Sequence, residues 1–178
     1  MWIPILCTLA AIVAMLLLFA QFKANDFRVS RSLKMAAPAA KAFAQVNDLH
    51  KMNAWNPFLK LDPNAKVSYE GAASGVGAVC TWDGDKSVGA GRQTIVESQP
   101  NERVSMTLEF YRPFAGVNDV EFTFIPEGSD TVVTWNMHGK LNFMCRLIGI
   151  FMSMEKMCGT SFEKGLVDVK SIVEPQAA

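Results

Sequence analysis

The stretch 142-NFMCRLIGIFMSMEKMCGTSFEKGLVDVKSIV-173 decides how the rest of the chain has to be read. From Phe143, apolar residues fall at Leu147, Ile150, Phe151, Met154, Cys158, Phe162, Leu166, Val169, Ile172 and Val173. Steps of three and four are the spacing of one helical face. Arg146, Glu155, Lys156, Glu163, Lys164, Asp168 and Lys170 fall on the other face and belong in water. No proline interrupts the run before Pro175, where a helix can stop. The spacing predicts one helix about 45 Å long at ~1.5 Å per residue. Its stripe is too apolar to stand uncovered, and the middle of the chain has to supply the cover.

The chain has 178 residues, enough for one anchored domain. Half of them are apolar, and 17 basic residues balance 17 acidic ones. Nucleic-acid binding, which calls for a basic footprint, is excluded as a partner class. Cys7, Cys80, Cys145 and Cys158 show no C-x-x-C spacing, which fits reduced thiols acting as small hydrophobes. His50 and His138 have no second ligand at zinc spacing, so neither a metal nor a cofactor is implied.

Met1 to Phe22 carries no charged side chain, and its interruptions are Pro4, Thr8 and Gln21. As a helix it would reach about 33 Å, enough for a hydrocarbon core of about 30 Å. A cleaved signal peptide would want a basic start and small residues before the cut, and a lipoprotein would want its cysteine after the apolar region. The reading is an uncleaved single-pass anchor over residues 1–23, followed by a domain over 24–175 and a tail over 176–178. Lys23, Arg28, Arg31 and Lys34 follow the span, which places the C-terminal domain in the cytoplasm.

Asp26 to Met35 alternates as a strand with one wet face, although Arg31 interrupts the apolar side. Pro38 opens a short helix through Val46. Asp48 can cap a second one through Asn53, and Asn56-Pro57 ends it. From Val67 onward, strand follows turn. Ala78-Cys80-Trp82 alternates, and Asp83-Gly84 signals a tight hairpin into the strand of Gly89-Ala90-Gly91. Val104, Met106, Leu108 and Phe110 share a face, as do Val120, Phe122 and Phe124, and then Val133, Trp135 and Met137. One strand, two short helices, six more strands and a long helix make an α+β domain. In it a twisted antiparallel sheet of seven strands curls around the final helix.

In that order, Trp55-Asn56-Pro57-Phe58, Tyr69-Glu70-Gly71, Gly75-Val76-Gly77-Ala78, Trp82, Val88-Gly89-Ala90-Gly91, Thr131-Val132-Val133-Thr134-Trp135 and Phe162-Glu163-Lys164-Gly165-Leu166 resemble the SRPBCC superfamily. This is the group of START, polyketide-cyclase-like and Bet v 1-like proteins. The resemblance covers roughly Phe27 to Val173. It implies a helix-grip fold with a deep hydrophobic cavity between sheet and long helix. Members of the superfamily bind lipids, sterols, hormones or polyketides, and a minority catalyse cyclisation or dehydration.

The periodicity supplies a draft cavity wall. From the sheet come Trp82, Met106, Leu108, Phe110, Phe122, Phe124, Trp135 and Met137, and from the helix Leu147, Phe151, Met154, Cys158 and Phe162. Methionine and aromatic side chains suit adaptable apolar sites. The same residues would also make an ordinary core, and sequence does not separate the two. Trp55 and Phe58 bracket Asn56-Pro57 as packing residues or as a gate over the cavity mouth. His138 reads as a solvent-facing strand residue and His50 as a surface one. Asp83 and Asp85 flank Gly84 as turn chemistry. Glu109, Tyr111 and Arg112 end a strand with Glu109 and Tyr111 pointing away from the cavity, and no serine or cysteine has a base at a recognisable spacing. No residue is therefore nominated as catalytic. The leading reading is membrane-anchored, non-catalytic binding of a hydrophobic or amphipathic, lipid-like molecule. The rivals are a cyclase or dehydratase-like enzyme in the same cavity and a membrane-tethered interaction scaffold with a filled core.

Overall fold

Strand β1 (Asp26–Met35) pairs with the last strand of the chain, and that pairing brings both ends of the domain together. The computed structural model describes residues 2–22, 24–150 and 153–174, and at positions 13, 16 and 19 the backbone alone. Helix α1 (Trp2–Phe22) precedes β1. Helices α2 (Ala39–Val46) and α3 (Leu49–Trp55) and a 3-10 turn at Leu59–Leu61 follow it. Then come β2 (Lys66–Gly71), β3 (Ala78–Asp83), β4 (Ala90–Gln99), β5 (Arg103–Arg112), β6 (Gly116–Glu127) and β7 (Asp130–Lys140). Helices α4 (Phe143–Ile148) and α5 (Met154–Val173) close the described chain. All neighbouring strands are antiparallel, in the order β1-β7-β6-β5-β4-β3-β2. This is the α+β helix-grip arrangement, a seven-stranded curved sheet with a long C-terminal helix. Register shifts at Ala90/Gly91 and Ile95/Glu97 help bend β4.

Local chemistry explains most boundaries. Asp48 caps α3 by accepting from the backbone N–H of His50 at 2.9 Å and of Lys51 at 3.3 Å. The helix runs to Trp55, two residues beyond the predicted Asn53. Asp83-Gly84 does not make the tight hairpin expected of it, because residues 84–89 form a wider loop. Asp85 Oδ1 accepts from Ser87 N at 2.8 Å, and Asp62 Oδ2 accepts from Asp85 N at 2.9 Å, so the aspartates build an Asx turn instead.

The expected single helix over 142–173 is two helices. Asn142 caps α4 by accepting from Cys145 N at 2.8 Å, and Gly149 closes it by donating its N–H to Cys145 O at 2.8 Å. Ser153 then caps α5, accepting from Lys156 N at 3.4 Å. Glycine inside a helix costs about 1 kcal/mol, and a serine cap returns about as much, so the break is cheap. Periodicity runs through it unaltered because both pieces are amphipathic. As a result Leu147 stands on α4, apart from the helix that the sheet grips.

Arg31 is the residue that breaks the apolar alternation of β1, and the structure gives the reason. Its Nε donates to Glu163 at 2.6 Å and its Nη1 to Glu155 at 2.5 Å, both on α5. Glu163 first and Glu155 second hold the guanidinium above its ordinary pKa. Between them lies Gly159, where a Cβ would fall on Arg31 Nη2 itself. A missing side chain on α5 thus makes the berth for a cation on β1. Lys170 Nζ also donates to Lys34 O at 3.0 Å, and Glu174 accepts from Ala36 N at 2.6 Å, so α5 covers the open edge of β1.

Candidate functional site

The residues of the draft cavity wall fall into three groups. Five rings meet: Trp135 stacks on Phe162 at 4.0 Å between centroids and 4° between planes. Phe122 lies 4.9 Å from Trp135, Trp55 5.8 Å and Phe58 6.3 Å. Trp55 is 1 % exposed and donates its indole N–H to Gln45 O at 3.2 Å, while Phe58 is half-buried against Phe162 at 6.1 Å. Gly165 lets the helix come this close, since a Cβ there would stand 2.8 Å from the Trp135 ring and 3.1 Å from Pro57. Here the sheet and α5 mesh ring against ring.

The second group is spread over the sheet. Trp82 meets Phe110 edge-on at 5.7 Å, and Phe124 meets Phe43 at 5.7 Å. Met106 is buried and accepts from Gln93 Nε2 at 2.7 Å. Met137 is buried in the same core, with Leu108 half-buried at its margin. The third group sits at the other end of α5, where Met154 and Cys158 are half-buried. Burial first and the Glu155 charge second push the Cys158 thiol up to about 11. Phe151 lies outside the described residues.

Beside this third group is an open-sided pocket of about 290 Å³. Phe27 of β1, Phe114 of the β5–β6 turn, Leu141, Cys145 and Ile148 around α4, and Met154 and Met157 of α5 make its apolar wall. Asp26, Arg28, Ser153 and Glu155 stand at its polar margin. Only Met154 was on the draft wall. Phe27 could have been found as the first inward position of β1. Phe114 could not, because a turn carries it to α4 and no periodicity records that. Burial raises the Cys145 thiol, and Glu155 is engaged by Arg31. Helix α4 also packs against α1, with Arg146 Nη1 donating to Gln21 O at 3.2 Å.

The remaining candidates lie elsewhere. His138 is exposed on the outer face of the sheet, with Nε2 3.3 Å from Asp119 Oδ2. His50 stacks on Tyr69 at 3.6 Å. Asp83 pairs with Arg112, and Asp85 is held below the usual carboxylate range by Ser87. Tyr111 is exposed and Glu109 half-buried. Among the described residues no cluster of His, Cys, Asp and Glu could hold a metal. Among them, too, no helix is long and apolar enough to cross a membrane.

The sequence profile of the polyketide cyclase / dehydrase and lipid transport family matches residues 26–174. The chain belongs to this family. No curated protein matches the chain. Among solved structures, a truncated norcoclaurine synthase from Thalictrum flavum is similar at 11% identity and a TM-score of 0.65, over 87% of this chain and 98% of that one. The major latex-like protein 151 of Panax ginseng is similar at 13% identity and a TM-score of 0.61, over 85% and 100%. Aha1 from Colwellia psychrerythraea is similar at 16% identity and a TM-score of 0.58, over 85% and 99%. Identities this low speak for the fold alone. The family places the SRPBCC domain among folds suited to hydrophobic-ligand binding or cyclase-like chemistry.

Proposed function

We propose that this chain is a membrane-anchored protein that binds a hydrophobic or amphipathic, lipid-like small molecule without transforming it. The pocket between β1, α4 and the first turns of α5 carries the reading. Its wall is apolar, its margin is polar, and its volume of about 290 Å³ falls just below the ~300–1,000 Å³ range of ligand sites. It suits one acyl segment or a small ring system. The five-ring cluster around Trp135 is packed core at the other end of α5 and lines no part of this pocket. A non-catalytic role is supported by the groups on the wall: a nucleophile wants a lowered thiol pKa, whereas burial raises that of Cys145. Glu155 is committed to Arg31.

Membrane attachment is supported by the sequence of α1, uncharged from Met1 to Phe22 once residues 13, 16 and 19 are counted in, although no helix among the described residues qualifies as a span by itself. The 21 residues of α1 span about 31 Å at ~1.5 Å each. Residues 13, 16 and 19, whose side chains are not described, are Val, Leu and Phe in the sequence. Ile3, Leu6, Leu9, Met15 and Leu18 are all more than half exposed, an apolar surface that water disfavours. The basic residues after the span argue for a cytoplasmic domain.

The test is to extract the full chain in mild detergent and weigh it by native mass spectrometry, then to titrate it with a fluorescent fatty acid. Met154→Trp fills the pocket and lowers affinity about tenfold or more, equivalent to ~1.4 kcal/mol or more, with the melting temperature retained. A chain that carries no lipid mass, and binds the probe equally well with or without the tryptophan, would overturn the reading.

A further inference from the structure

The pocket is bordered by a second feature, an apolar surface without a partner. Met144 and Met157 are each 47% exposed, Ile148 38% and Phe114 36%. They stand on α4, the start of α5 and the β5–β6 turn, and Ile148, Met157 and Phe114 also line the pocket. The surface continues that of α1, because α4 packs on α1 through the Arg146–Gln21 hydrogen bond and Phe22 beside it is 86% exposed. Arg28, Lys140 and Lys156 are exposed nearby and are in no ion pair among the described residues.

We infer that α4, the Phe114 turn and Met157 lie on the bilayer surface, so that the pocket opens sideways into the headgroup layer. The inference rests on the proposed anchor and goes beyond it by assigning the surface and the route of entry. A span of about 31 Å fills the hydrocarbon core and leaves Gln21 and Phe22 at its boundary. The headgroup layer beyond is about 5–7 Å deep on each side, and a helix is ~10 Å across. A helix packed on the last turn of the span therefore cannot stand clear of that layer. Apolar side chains flanked by unpaired cations are what an anionic headgroup region accepts. A lipid-like ligand could then pass from membrane to pocket without crossing water.

The experiment uses the full chain in vesicles of brominated phosphatidylcholine. Cys145 and Cys158 are replaced by alanine throughout, and buried Cys80 is kept. One variant keeps Cys7 as the labelled thiol of the span. The others replace Cys7 with alanine and carry a fluorophore on a single cysteine at position 144, 148, 96 or 167. Val167 lies on α5 ten residues beyond Met157, about 15 Å along the helix, and Val96 is on the outer sheet. The expected result is several-fold stronger bromolipid quenching at 144 and 148 than at 96 and 167, where aqueous iodide quenches instead. If the label at Cys7 is quenched by lipid while 144 and 148 answer only to iodide, the anchor stands and this inference falls. If Cys7 is not quenched by lipid, the anchor falls and the inference with it.

Discussion

Replacing Trp135 with alanine separates a packed core from a ligand wall. The indole is 4% exposed and touches Phe162, Phe122, Trp55 and Phe58. Truncating a buried tryptophan to alanine costs about 3–5 kcal/mol in lost burial and residual cavity. One offset applies, because Trp135 Nε1 is buried without a hydrogen-bond partner and its removal relieves roughly 1 kcal/mol. The net cost is then about 2–4 kcal/mol. At ~2–4 °C per kcal/mol for a domain of this size, the melting temperature should fall by about 4–16 °C. The assay is thermal unfolding of the full chain in one detergent, followed at 222 nm, with the fatty-acid titration repeated below the transition. The expected outcome is a large drop in melting temperature, a native spectrum in the cold, and unchanged probe affinity. A shift under ~2 °C with loss of probe binding would refute the reasoning, since it would make the indole the lining of a ligand space.

Other perturbations follow from the same geometry. Gly91→Ala pushes a methyl onto Glu109 O and to within 2.5 Å of the Trp82 ring, and should destabilise by about 2–3 kcal/mol or more in urea unfolding. Arg31→Met leaves Glu155 and Glu163 facing each other without their cation, so amides near 155–160 should exchange faster in deuterium-exchange mass spectrometry while those of β6 do not change. Cys158 has a folded pKa of about 11 against an ordinary value of 9.0. Below about pH 9 both states hold the proton. Above it the unfolded chain releases the proton first, so the thiol's contribution is lost as pH rises from about 9 to 11. Cys158→Ala should flatten that part of the stability–pH curve, measured by urea midpoints at each pH.

The sheet was legible because period-two alternation is a property of each strand by itself. Val104, Met106, Phe122, Phe124 and Trp135 all fall on the buried face that their alternation assigns. The break at Gly149 was not legible, because a helix pattern continues in phase across a cheap interruption. Nor was the pocket, because Phe27, Phe114, Leu141 and Met157 come from four segments whose meeting depends on where α4 turns.

What governs the site is how closely α5 approaches the sheet, and glycines set that distance. Gly165 lets Trp135 lie flat on Phe162, and Gly159 admits the Arg31 guanidinium between two glutamates. From Gly159 onward the helix is therefore drawn down and the interior closes. The turns before it carry Met154 and Met157 beside α4, and there the pocket stands open. The ring packing at Gly165 and the pocket therefore lie at different ends of α5, and the pocket is at the end next to α1.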